Sequence, residues 1–153
     1  VTTTSGPASG QPGTVLPDHL IGHRVTFRKT VSESDIYQFA GITGDFAPNH
    51  VDEEFMADTG YGGRIAHGVL VLGFASTAST EMAALIGGHA VSLGYDRIRF
   101  VGAVRIGDTV TVDYRLAAVD QERRRAKSDI VITNQHGETV LVGTHILAFV
   151  NPG

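Results

Sequence analysis

The stretch that most constrains this chain runs from Ala66 to Ile86, AHGVLVLGFASTASTEMAALI: 21 residues without proline, apolar almost all round, with small residues interspersed. That is long for a strand and reads as a helix buried on most sides, so the rest of the chain has to supply its cover. After Gly87 and Gly88 the character changes to four β-rich runs, roughly 90–101, 108–119, 126–134 and 138–149. Turns at GAVRIGD, DQERRR and NQHGE separate them, so successive runs are expected to pair as antiparallel strands. The fold class expected is α+β, an antiparallel β-sheet wrapped around a long central α-helix.

The first half is organised differently. Residues 1–14, VTTTSGPASGQPGT, have almost nothing to bury and are expected to be a disordered tail, leaving 15–153 as a single domain. From Val25 the β-branched VTFRKTV reads as a strand, and SESD from Ser32 suits the N-cap of a short helix through Ile36, Phe39 and Ala40. Gly41 to Gly63 is punctuated by Gly, Pro, Asn and Asp, with a short helix expected at DEEFMAD; loop-rich excursions of this kind often carry function.

Composition narrows the chemistry. A length of 153 residues suits one domain. With 18% charged residues, against about 25% in typical domains, the surface is short of charge, which points to a buried subunit interface. A net charge of −4 lacks the basic footprint of a nucleic-acid binder. No apolar run is read as reaching the roughly 20 residues of a membrane span, and the first residues do not resemble a signal peptide, so a cytoplasmic protein is expected. With no cysteine, chemistry has to come from His, carboxylates, hydroxyls and backbone dipoles.

Those groups converge in TGDFAPNHVDEEF, followed by GGRIAHGVL at the mouth of the apolar helix. Asp45 and His50 are five residues apart, and the fixed φ of Pro48 stiffens the turn between them. An acid/base pair on a rigid loop is the candidate.

The same residues resemble the MaoC-like, (R)-specific enoyl-CoA hydratases and dehydratases of the hotdog fold. The match runs in order and spacing through Phe39 to Gly44, Asp45, Pro48, His50, Asp52 and Phe55 to the Ala66, His67, Gly68 step, and covers about residues 20–150. The resemblance implies that Asp45 and His50 jointly hold and activate the water added to an enoyl thioester of CoA or an acyl-carrier protein, or removed from a 3-hydroxyacyl thioester in reverse. Carboxylate plus imidazole supplies both proton transfers with no cofactor and no metal, each such group being worth roughly 10²–10⁴ in rate. The charge that develops on the thioester oxygen needs fixed donors, and N–H groups at the helix start near Gly68 suit that task, glycine permitting close backbone approach. By position Ser76 matches a serine near the aspartate in some members. A homodimer or higher even oligomer, joined edge to edge, is implied as well.

One departure stands out. Where the family pattern has N-P-L-H this chain has Ala47, Pro48, Asn49, His50. Either Asn49 takes over the asparagine's duty from another direction, or the site tolerates another arrangement, or water addition is weakened. Two further functions fit the same resemblance: thioester hydrolysis, with water directed at C1, and a non-catalytic thioester-binding subunit. The other polar residues have plainer readings. His67 is a packed histidine that fixes the start of the helix; Glu53 and Glu54 are a solvated first helical turn; Arg123, Arg124 and Arg125 are a hairpin end; and His89, His136 and His145 lack metal-ligand spacing.

Overall fold

The computed structural model describes residues 15–150; the expected disordered tail, 1–14, lies outside them. A short 3₁₀ turn (Asp18–Leu20) leads into β1 (Arg24–Thr30), then α1 (Glu33–Thr43), α2 (Pro48–Val51), α3 (Glu53–Ala57), α4 (Gly68–Gly73) and α5 (Ala75–Ile86). Four strands complete the chain: β2 (His89–Phe100), β3 (Thr109–Asp120), β4 (Arg125–Thr133) and β5 (Thr139–Val150). They form one five-stranded sheet in the order β1-β3-β4-β5-β2, with every pairing antiparallel. This is the α+β sheet-and-helix architecture that the run from Ala66 demanded.

The expectation that successive runs pair holds for β3–β4 and β4–β5 and fails for β2–β3. β1, which precedes the helices, occupies the free edge of β3 with Val25 opposite Tyr114, so β2 is displaced to the far edge beside β5. The segment between β2 and β3 crosses to the start of α4, where Ala66 N–H donates to the Val104 carbonyl at 2.7 Å.

The inner face of the sheet alternates cleanly. Val110, Val112, Tyr114 and Leu116 of β3 and Ile130 and Ile132 of β4 are buried, and α5 lies against β1 and β3. The helix itself departs from expectation in two ways. It starts at Gly68 and is interrupted by a turn at Phe74, and it is not buried on most sides. Ala75, Ala78, Ser79, Met82 and Ile86 form one buried stripe at helical spacing, while Val69 and Leu85 are exposed because the sheet covers a single side. By length and composition Gly68–Ile86, 19 residues with mean hydropathy 1.6, does reach membrane-span dimensions, so the reading that no run does so is corrected. In the fold its apolar stripe is spent on the sheet.

α1 is set by a capping box. Ser32 Oγ accepts from Asp35 N–H at 3.2 Å, and Asp35 Oδ2 accepts from Ser32 N–H and from Lys29 Nζ, each at 2.8 Å. Partial burial alone would raise the Asp35 pKa, yet these donors hold its carboxyl below the usual carboxylate range.

Candidate active site

Two backbone devices bring the Asp45 and His50 segment to the start of α4. Gly44 ends α1 in the left-handed region at φ 80°, a conformation glycine adopts without strain, and its N–H closes onto the Ala40 carbonyl at 2.7 Å. Four residues on, Pro48 opens α2 at its first helical position, which turns His50 inward until it is 8% exposed. Asp45 stays half exposed, and its Oδ1 accepts from Ala47 N–H at 3.3 Å, the Asx-turn expected of a Gly-Asp step.

His50 has a defined tautomer. Its Nδ1 lies 2.8 Å from the carbonyl of Ile65, which can only accept, so Nδ1 carries the proton and Nε2 presents a lone pair. Asn49 Nδ2 donates to that nitrogen at 3.2 Å. The amide next to His50 therefore does reach the pair, one of the alternatives that the Ala47 departure left open.

His67 is packed at the start of α4, as expected, and also meets both members of the pair. It is 2% exposed, its ring stacks on His50 with centroids 3.7 Å apart, and Phe39 backs it at 4.8 Å. His67 Nε2 donates to the Asp45 backbone carbonyl at 2.9 Å and lies 4.0 Å from Asp45 Oδ2. Asp45, His50 and His67 each offer an atom within 4.8 Å of the others. That spacing alone would suit a cation, but ring-nitrogen lone pairs lie in their ring planes. Planes stacked and inclined by 28° do not aim at a common point about 2.0–2.1 Å from both nitrogens, the distance zinc takes. The arrangement suits proton transfer instead.

A cavity of about 450 Å³ opens beside His50, walled by Asn49, Tyr61, Gly68, Val69 and Phe100 among others. Apolar side chains make up somewhat more of its wall than polar ones, His50, Asn49 and Tyr61 contribute polar groups, and Asp45 stands outside the wall. Gly68 opens α4 with no side-chain cap, and its glycine has a packing cause as well: a Cβ there would lie 2.8 Å from two carbons of the Phe100 ring. Packing therefore does supply a reason for glycine at this position, in addition to the approach of a substrate. Ser76 is not brought to this cavity. It lines a second recess, between α5 and the start of β2, with Ser79, Thr80, Ala83, Ala84 and Ser92.

The excursion is clamped by a residue the sequence reading passed over. Arg64 Nε and Nη2 donate to Glu53 Oε2 and Glu33 Oε1, each at 2.8 Å, and Nη1 reaches the Tyr37 hydroxyl at 3.3 Å. The Glu53 and Glu33 bonds push the guanidinium still further above its ordinary value, and Arg64 pulls the Glu53 carboxyl below the usual range. Glu53 and Glu54 do form the solvated first turn of α3, and Glu53 in addition ties α3 to the segment before α4. A lone arginine in GGRIAHG was the available signal. Phe100, far away in β2, left none. Arg123 pairs with Asp120 at 3.3 Å in the β3–β4 turn, the hairpin end expected of the arginine run, and His145 lies in β5, where it is buried.

A five-stranded antiparallel sheet packed on a helix, with an Asp/His pair at the helix start, defines a protein of the hotdog class. Residues 18–141 match the family described as MaoC like domain, and the chain belongs to that family. It is 37% identical over 103 residues to an "(R)-specific enoyl-CoA hydratase" of Rhodospirillum rubrum, covering 67% of this chain and 69% of that one. It is 40% identical over 110 residues to a "3-hydroxybutyryl-CoA dehydratase" of Methylorubrum extorquens, covering 72% and 68%. Among solved structures it superposes with a TM-score of 0.75 on the (R)-hydratase from A. caviae involved in PHA biosynthesis, at 25% identity over 85% of this chain and 96% of that one.

Proposed function

We propose that this protein is a hydro-lyase that adds water to the double bond of a trans-2-enoyl thioester of CoA or an acyl-carrier protein, giving the (R)-3-hydroxyacyl thioester, and catalyses the reverse dehydration. The observation that carries this is the tautomer of His50. With Nδ1–H committed to the Ile65 carbonyl, the Nε2 lone pair, which accepts from the Asn49 amide, lies beside the cavity while the Asp45 carboxylate stands within 4.8 Å of the ring. A water that enters between them takes the place of the Asn49 amide on Nε2, accepts from that amide at its oxygen and donates one O–H to Nε2 and one to the carboxylate. As its oxygen bonds to C3 the pair takes one proton, and one proton is returned to C2, so the step balances without a cofactor. The charge that passes through the thioester oxygen meets the uncapped first-turn N–H groups of α4 at Gly68. Named relatives that hydrate enoyl-CoA or dehydrate 3-hydroxybutyryl-CoA support the same chemistry.

The test is loss of the enoyl-thioester absorbance with crotonyl-CoA, run beside thiol release from a saturated acyl-CoA. Hydration without thiol release is expected; thiol release alone would establish a thioesterase, and neither activity a binding subunit. Asp45→Asn and His50→Gln should each lower kcat by about 100-fold or more with the thermal transition retained. Near-wild-type rates in both would refute the assignment.

The working unit we propose is a homodimer joined through β2. That strand is a sheet edge and exposes Val91, Leu93 and Tyr95, a combination that a second copy's edge covers. Light scattering at micromolar concentration should give twice the chain mass. A monomer, or a stable complex only with an unlike chain, would overturn it.

A further inference from the structure

We propose that His67 is a positioning residue that sets the separation and orientation of the Asp45–His50 pair, an inference that rests on the hydro-lyase reading above. His67 touches both members of the pair through different parts of one ring. Its Nε2–H holds the backbone carbonyl of Asp45 at 2.9 Å, and its face lies on the His50 ring at 3.7 Å. Phe39 closes the other side, so the imidazole is held between α1 and α2 at the point where α4 begins.

The bonding of His67 shows why a plain space-filler does not account for it. The Asp45 carbonyl can only accept, so Nε2 carries the proton and Nδ1 is an acceptor. That Nδ1 is buried and has no hydrogen-bond partner among the described residues. Burying an unpaired ring nitrogen costs stability, a cost that an apolar side chain packed at the same place would not carry. What the imidazole adds over phenylalanine is the N–H to Asp45, and what it adds over an amide is a rigid flat surface for His50. Asp45 and His67 both lie outside the cavity wall, but Asp45 is half exposed whereas His67 is 2% exposed and its ring meets only the pair and Phe39, so it acts through those neighbours.

The two contributions can be separated. His67→Phe keeps the stacking surface and removes the donor; His67→Gln keeps an N–H donor at similar reach and removes the ring; His67→Ala removes both. In crotonyl-CoA hydration, normalised to folded protein by near-UV circular dichroism, each of the first two should lower kcat by about tenfold and His67→Ala by about 100-fold, with KM within about twofold, since misplacing reacting groups by about 1 Å costs rates of this order. If kcat in all three stays within about twofold of wild type, or KM rises while kcat holds, His67 is structural and the proposal is wrong.

Imidazole ¹⁵N–¹H correlation spectra of His50 supply a readout that does not depend on turnover. Wild type should show an Nδ1–H protected by the Ile65 carbonyl, and His67→Ala the same tautomer with its Nδ1–H exchanging with solvent at least about tenfold faster, because the ring is no longer held against that carbonyl. A wild-type protein inactive on enoyl-CoA would overturn the hydro-lyase reading, while the spectra still decide the role of His67: a His50 Nδ1–H exchange rate in His67→Ala within about twofold of wild type overturns it.

Discussion

Ala47 is where this chain leaves its family's motif, and the structure makes two separable quantities of the departure. Ala47 is the N-cap of α2, with φ −58° and ψ 141°, and supplies no side-chain cap. Asparagine is among the best N-caps, and replacing alanine at such a site is worth about 0.5–2 kcal/mol; α2 spans only four residues, which places Ala47→Asn near about 0.5–1 kcal/mol of added stability. Activity is a different matter, because Asn49 already donates to His50 Nε2 at 3.2 Å, a long bond between neutral groups. Such a bond is worth about 0.5–1.5 kcal/mol, so Asn49→Leu should lower kcat/KM by roughly two- to tenfold. Ala47→Asn in the wild-type background should leave it within about threefold, because one amide already serves His50 Nε2. In the Asn49→Leu background the same substitution should recover part of the loss if the family asparagine reaches His50 from position 47. Urea unfolding and crotonyl-CoA kinetics on the four proteins separate the two effects. The reasoning is refuted if Ala47→Asn raises hydration tenfold in the wild-type background, which would make Asn49 a bystander, or if it leaves the urea midpoint unmoved, which would remove the capping argument.

Arg64→Met leaves Glu33 and Glu53 without their shared partner; it should lower Tm, with the difference from wild type shrinking in 1 M salt, as differential scanning fluorimetry at two ionic strengths will show. Gly68→Ala drives a Cβ to 2.8 Å from the Phe100 ring and should cost about 1–3 kcal/mol in urea unfolding, most of it recovered in Gly68→Ala/Phe100→Leu; equal losses in single and double variants would show that the ring is not the obstacle. His145, 1% exposed and hydrogen-bonded at 2.8 Å to both Ser92 and Tyr114, is pushed by burial from 6.5 down to about 4. The folded state keeps it neutral while the unfolded chain takes up a proton, so its contribution is present above pH 6.5 and is lost as pH falls toward about 4. Urea unfolding from pH 7.5 to 4.5 should therefore show up to about 2 kcal/mol more loss in wild type than in His145→Gln.

The sequence by itself determined the elements and where the candidate acid/base residues lie. Apolar periodicity from Ala66 and alternation in the later runs are local signals, and they located helix and strands because burial acts residue by residue. Ser32 and Asp35 capped α1 through bonds spanning three residues, and Asp45, Pro48 and His50 are close enough in the chain for their convergence to be read from turn stiffness. What the sequence could not decide was every relation that depends on distant segments meeting. β1 takes the edge of β3 and sends β2 to the far side, although β2 and β3 are neighbours in the chain, because edge pairing depends on which strand fits the free ladder and not on order along the chain. Phe100 gives Gly68 its packing reason across 32 positions of sequence. The proton of His50 is placed by the carbonyl of Ile65, a group every residue possesses, so no side chain could have announced it. His67 reads in sequence as a single histidine at the start of a helix; only the folded chain lays its ring on His50 and its N–H on Asp45, because stacking and hydrogen bonding are properties of positions in space, which packing assigns.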